Sequence, residues 1–158
     1  EEIKDIVNYS FGFHGYIDTI LGVRENIKNK KFNACKFSKK LCFKLHNMCH
    51  PTIDKPIKNN IDISKNIIIT GPNAAGKTTT IKATIINLLL TQQIGFGFFD
   101  KGKSGTFDYI HCYLNIPDSC SRDSLFQSEA RRCKEILTSI KENPKKRHLI
   151  AKIINKKK

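Results

Sequence analysis

The run Ile67-Ile68-Ile69-Thr70-Gly71-Pro72-Asn73-Ala74-Ala75-Gly76-Lys77-Thr78 constrains this chain most. A short β-branched stretch enters a loop bounded by two glycines and leaves through a Lys-Thr pair. The spacing fits G-x-x-x-x-G-K-[ST], a pattern whose chemistry is phosphate binding. Gly71 and Gly76 permit backbone angles that other residues resist. Successive N–H groups of such a loop turn inward onto phosphate oxygens. The helix that follows offers its positive end to the same anion. Lys77 is placed to reach the β- and γ-phosphates, and the Thr78 hydroxyl to hold Mg²⁺. The candidate site is therefore Gly71, Pro72, Asn73, Ala74, Ala75, Gly76, Lys77, Thr78 and Thr79, with ATP and Mg²⁺ as ligands and Thr78 as the metal ligand. A plain Gly-rich turn between strand and helix is the alternative.

Periodicity places the elements around this loop. Residues 1 to about 28 read as helix with an interruption at Gly12 and Gly15, which weaken a helix interior. Lys28 to Lys40 reads as a basic loop, Leu41 to Leu45 as a short strand, and Ile61-Asp62-Ile63 as an edge strand. Ile67 to Thr70 is expected to be a buried strand. After the loop, Ile81, Ile85, Leu88 and Leu89 recur at helical spacing, and Gly95 and Gly97 end that helix. Phe107 to Asn115 reads as a strand. Ser124 to Glu142 reads as a helix whose apolar face is Phe126, Ala130, Cys133, Leu137 and Ile140. Leu149 to Ile154 reads as a last strand. The alternation predicts an α/β fold with the loop at the carboxyl end of a central strand, a parallel sheet near it and antiparallel strands before it.

The chain has 158 residues and a formal net charge of +14, from 28 Lys+Arg against 14 Asp+Glu. Its lysines are scattered along the sequence, apart from the tail Lys156-Lys157-Lys158, and no aromatic residues interleave with a basic stripe. Charge by itself therefore predicts at most weak, salt-sensitive affinity for nucleic acid. No apolar run approaches the length needed to cross a bilayer. Neither a secretory leader nor an initiator Met opens the chain, so an intracellular protein, cytoplasmic or nuclear, with a cropped N-terminus is expected. Six cysteines in a nucleotide-containing compartment are expected to be free thiols. Cys42, His46, Cys49 and His50 lie close in sequence, but their spacing is no standard zinc pattern.

Several segments together resemble the opening of the MutS ATPase domain: His50-Pro51, Asn59-Asn60-Ile61-Asp62-Ile63, and Thr70-Gly71-Pro72-Asn73 before Gly76-Lys77-Thr78. Gln93-Ile94-Gly95 resembles the end of that family's next helix. Arg122-Asp123-Ser124-Leu125-Phe126-Gln127-Ser128-Glu129 resembles its signature segment. The likeness covers roughly residues 45–142. It implies part of an ABC-type P-loop NTPase domain, a mixed sheet with flanking helices, over 31–158. Residues 1–30 would be the end of a helical lever. It further implies ATP or ADP as ligand, a homo- or heterodimer of MutS-like subunits, and mismatched double-stranded DNA reached through upstream domains. In such a dimer Ser124 would meet the γ-phosphate held by the other subunit, and the same serine can cap its own helix.

The resemblance has departures. Pro56-Ile57 stands where the family has an aromatic residue that stacks on adenine, and Ala74-Ala75 and Thr78 replace Met-Gly and Ser. No Asp or Glu follows Glu142, so the acidic strand that would hold the metal and activate water is missing, as is the switch-like histidine that the resemblance implies beyond that strand. No catalytic residue is assigned. The functional expectations are an ATP-binding part of a mismatch-repair ATPase or, alternatively, a truncated, hydrolysis-incompetent nucleotide-binding fragment or another ABC-type DNA-repair ATPase.

Overall fold

The computed structural model describes residues 2–72, 74–114 and 125–152. In chain order the elements are α1 (Glu2–Lys28), β1 (Asn33–Phe37), β2 (Phe43–Met48), β3 (Asn59–Asp62), α2 (Lys77–Ile94), β4 (Phe96–Gly97), β5 (Lys101–Ser104), β6 (Tyr109–Tyr113), α3 (Leu125–Glu142) and β7 (His148–Lys152). Five strands form one sheet in the order β3-β2-β5-β1-β4. It is mixed: β1 runs parallel to β5, and the other pairs are antiparallel. The strands β6 and β7 form a separate parallel pair. The expected α/β class, with mixed strands and flanking helices, holds. No helix among the described residues is long and apolar enough to cross a membrane.

The core follows from alternation along β2. Phe43 and Leu45 turn inward and are buried, while Lys44 and His46 turn outward. The register slips between Leu45 and Met48, where Asn47 takes a φ of 52°, and the slip returns Met48 to the core. The helix α2 lies against β2 and β4 and buries Ala83, Ile85 and Leu88. The Phe99 ring closes over Gly97 and Gly102; a Cβ on either glycine would fall within 3 Å of that ring. From the other sheet, Leu149 is buried in the same cluster, with Ile110 and Ala151 packed against it.

Four local expectations are corrected. The helix α1 runs unbroken through Gly12 and Gly15; the helix is exposed there, nothing lies within 4 Å of a Cβ at either glycine, and their cost is not enough to break it. The supposed basic loop contains β1, because Cys35 is buried and β5 pairs alongside it. Among the described side chains of α3 the buried residue is Ile136, while Leu137 is 58% exposed; Phe126, expected on the apolar face, lies outside them. The largest difference is at Ile67–Thr70, which forms no strand. Ile68 is 88% exposed, and the run joins neither the five-stranded sheet nor the β6–β7 pair. A β-branched run needs a neighbour for its backbone groups before it can be a strand. The loop consequently does not leave the carboxyl end of a central strand.

Candidate nucleotide-binding loop

The loop is built on the amino end of α2. Gly76 is the N-cap, in the left-handed region at φ 79°, and no side chain caps the helix. The first turn has no acidic residue. Uncapped first-turn N–H groups and the positive end of the helix dipole are therefore left available to an anion. The Thr80 N–H and hydroxyl both donate to the Gly76 carbonyl, at 2.9 and 3.0 Å, which fastens the first turn to the loop. Upstream, the Ala75 N–H closes a turn onto the Pro72 carbonyl at 3.4 Å. Ala74 sits within that turn at φ 62°, a conformation costly for a residue with a Cβ.

Lys77 folds back over the loop. Its Nζ donates to the carbonyls of Gly71, at 2.8 Å, and Pro72. The ammonium thus lies inside the curve of the loop, held by backbone oxygens rather than by a carboxylate. An anion with several oxygens could replace those carbonyls as its partner, with a stronger charge-assisted contact. Thr78 and Thr79, in the same first turn, are exposed. Of the residues singled out in sequence, Gly71, Pro72, Ala74, Ala75, Gly76, Lys77, Thr78 and Thr79 come together here. Asn73 and Ser124 lie outside the described residues, as do Arg122 and Asp123. The helix α3 begins at Leu125, one residue after Ser124.

The helix that carries the loop is anchored by residues that periodicity did not single out. Asn87 is fully buried in α2. Its amide donates to the Cys49 carbonyl (3.1 Å) and the Ala83 carbonyl (2.9 Å), and its oxygen accepts from the Phe98 N–H (2.6 Å). One side chain thereby ties the helix to the segments flanking β2 and β4. Lower on the helix, Gln92 exchanges two hydrogen bonds with the backbone of Phe107, at 2.7 and 3.2 Å. The left-handed Gly95 ends the helix, its N–H bonded to the Thr91 carbonyl. A polar signal existed in the sequence: Thr84, Asn87 and Thr91 fall at i, i+3 and i+7, on the face the helix buries.

The β6–β7 pair, whose strands lie on either side of α3 in the chain, has its own polar face. Tyr109, His111 and His148 stack with interplanar angles under 10°. His111 Nε2 and His148 Nδ1 lie 3.2 Å apart, and burial holds the His111 ring below its usual pKa. Asp108 accepts from the Arg147 N–H at 2.8 Å, which lowers its pKa and fixes the entry to β7. No carboxylate lies on β7 itself. Near β2, Cys42 is buried and Cys49 half-buried, with burial raising the Cys49 thiol. Burial likewise pushes the Cys35 thiol up to about 11, partly offset by the Thr91 hydroxyl.

No family model matches the chain. Among curated proteins it is similar to Endonuclease MutS2 of Ligilactobacillus salivarius, 32% identical over 137 residues, which is 78% of this chain and 17% of that protein. Endonuclease MutS2 of Staphylococcus saprophyticus is 28% identical over 149 residues, 90% of this chain and 19% of that protein. The Staphylococcus epidermidis protein of the same name is 27% identical over 136 residues, 82% of this chain. The chain spans less than a fifth of the length of these relatives.

Proposed function

We propose that this chain, related over most of its length to MutS-family proteins, binds the phosphates of ATP or ADP through residues 71–79 and serves a MutS-type DNA-repair ATPase. The observation that carries this reading is Lys77, whose ammonium is folded into the loop at an uncapped helix start. Thr78 fits a metal role as the exposed hydroxyl residue directly after Lys77. Mg²⁺ is commonly held by one or two protein ligands, with phosphates and water completing its shell. The ion would neutralise phosphate charge there.

In the same reading residues 1–30 are the end of a lever, and 31–158 are part of an ATPase domain. Ser124 would serve a neighbouring subunit's phosphate in a homo- or heterodimer. Mismatched double-stranded DNA would be met by other parts of a longer protein. An intracellular setting, cytoplasmic or nuclear, belongs to this proposal.

A specific observation favours a narrower role: binding without hydrolysis by these residues. β7, the strand after α3, has no carboxylate. General-base and metal-ligand groups each contribute orders of magnitude to such a rate. Titration with ATP and ADP, with and without Mg²⁺, beside Lys77→Ala tests both statements. The variant should bind about 10- to 100-fold more weakly, the equivalent of roughly 1.5–3 kcal/mol for charge-assisted hydrogen bonds. Equal affinity would remove the loop from the site. Lys77-dependent turnover by the chain alone would overturn the narrower role.

A further inference from the structure

The lysines that look scattered in sequence are gathered by the five-stranded sheet. In the register of β1, β5 and β2, Lys36 stands directly beside Lys103, and Lys103 directly beside Lys44. Directly paired residues project from the same face of a sheet. The opposite face holds the buried Cys35, Leu45 and Ser104, so the three lysines share the solvent face. Lys101 extends the patch two residues back along β5, where its cross-strand partner is His46. With strands about 4.8 Å apart and a rise of about 3.3 Å per residue, four ammonium stems rise from a patch of about 10 by 7 Å. Two carboxylates border the patch: Asp62, paired to Lys44 at 2.7 Å, and Asp100 beside Lys101, paired to Lys58 at 3.1 Å. Lys103 thus lies between two like charges, an arrangement that costs stability in a sheet.

We propose that this face is a docking surface for the phosphate backbone of double-stranded DNA. The chemistry is charge complementarity: a compact positive row, unfavourable alone, becomes favourable when polyanion phosphates replace its counterions. The lysine-bearing face has no Phe, Tyr or Trp among its paired positions from which bases of a single strand could be stacked, which favours a duplex. The inference rests on strand register and is independent of the nucleotide loop.

The test is anisotropy of a labelled 20-base-pair duplex titrated with the full chain at several salt concentrations. With about three phosphates engaged, log K should fall against log salt with a slope of about −3. Lys36→Glu/Lys103→Glu should weaken binding at least tenfold and reduce that slope by about 2. Lys4→Glu/Lys134→Glu makes the same charge change on α1 and α3 and should alter affinity less than twofold. Equal losses in the two double variants would overturn the proposal in favour of diffuse net charge. Tighter binding to single-stranded DNA, or to vesicles containing anionic lipid, would overturn it as well. Lys103→Glu also places an opposite charge between Lys36 and Lys44, so its melting temperature should rise as its DNA affinity falls. A lowered melting temperature would contradict the row itself.

Discussion

Two apolar segments flank the same loop and meet opposite fates. On the carboxyl side, α2 sinks Ala83, Ile85 and Leu88 into the core and is fastened by Asn87 and Gln92. On the amino side, Ile67, Ile68 and Ile69 stand exposed without a ladder. The difference is one of partners rather than of hydrophobicity. A helix satisfies its own backbone and needs only a surface to lie on, whereas an extended run must borrow hydrogen bonds from a neighbour. The loop is therefore held firmly at one end only.

The largest expected effect separates these two sides. Leu88→Ala removes a fully buried side chain and should destabilise the chain by about 3 kcal/mol. Ile68→Ala removes an exposed one and should stay within about 0.5 kcal/mol. Chemical denaturation of both variants reads the contrast directly. A cost at Ile68 close to that at Leu88 would break the comparison, because it would mean that the run is packed as a strand. Nucleotide titration of the Ile68 variant sharpens it: affinity close to wild type is expected if α2 alone positions the loop.

A smaller effect is expected within the loop. Ala74 holds a left-handed conformation that costs a residue with a Cβ about 1–2 kcal/mol. Glycine relieves that cost but brings roughly 0.5–1 kcal/mol of backbone entropy to the unfolded chain. Ala74→Gly should therefore give a net gain of about 0.5 kcal/mol in stability. A loss would show that the turn closed by Ala75 and Pro72 has another conformation.

What the sequence revealed tracks how local each cause is. The helix α2, its end at Gly95 and the edge position of β3 follow from periodicity and turn chemistry within a few residues. The loop pattern is likewise local, and the structure assembles most of its residues around Lys77. Strand β5 was hidden because Lys101-Gly102-Lys103-Ser104 has no apolar alternation; it is a strand because Gly102 fits beneath Phe99 and two neighbours supply its ladder. The basic row was hidden for the same reason. Lys36, Lys44 and Lys103 belong to three segments, and only non-local strand order makes them adjacent. Ile67–Thr70 failed in the opposite sense: its propensity is strong, and the deciding term, a pairing partner, is tertiary.

The smallest effect concerns the entry to the amino side, just before the exposed run. Asp62 is held down to about 2 by its hydrogen bond from Lys44 and, next, by the Ser64 hydroxyl. Its Oδ1 also accepts the Ser64 N–H at 3.0 Å, and this turn is the last fixed point before Ile67. Because the folded value lies below the usual 3.8, the carboxylate's contribution is complete above about 3.8 and is lost as pH falls through about 2. Acid should thus loosen the approach to the loop while leaving α2 in place. An NMR titration should show the Ser64 amide moving with a midpoint near 2, with the Leu88 amide unchanged over the same range. A Ser64 midpoint at 3.8 would mean that Lys44 is free of Asp62, and the one neutralised position in the basic row would then carry its full charge toward a polyanion.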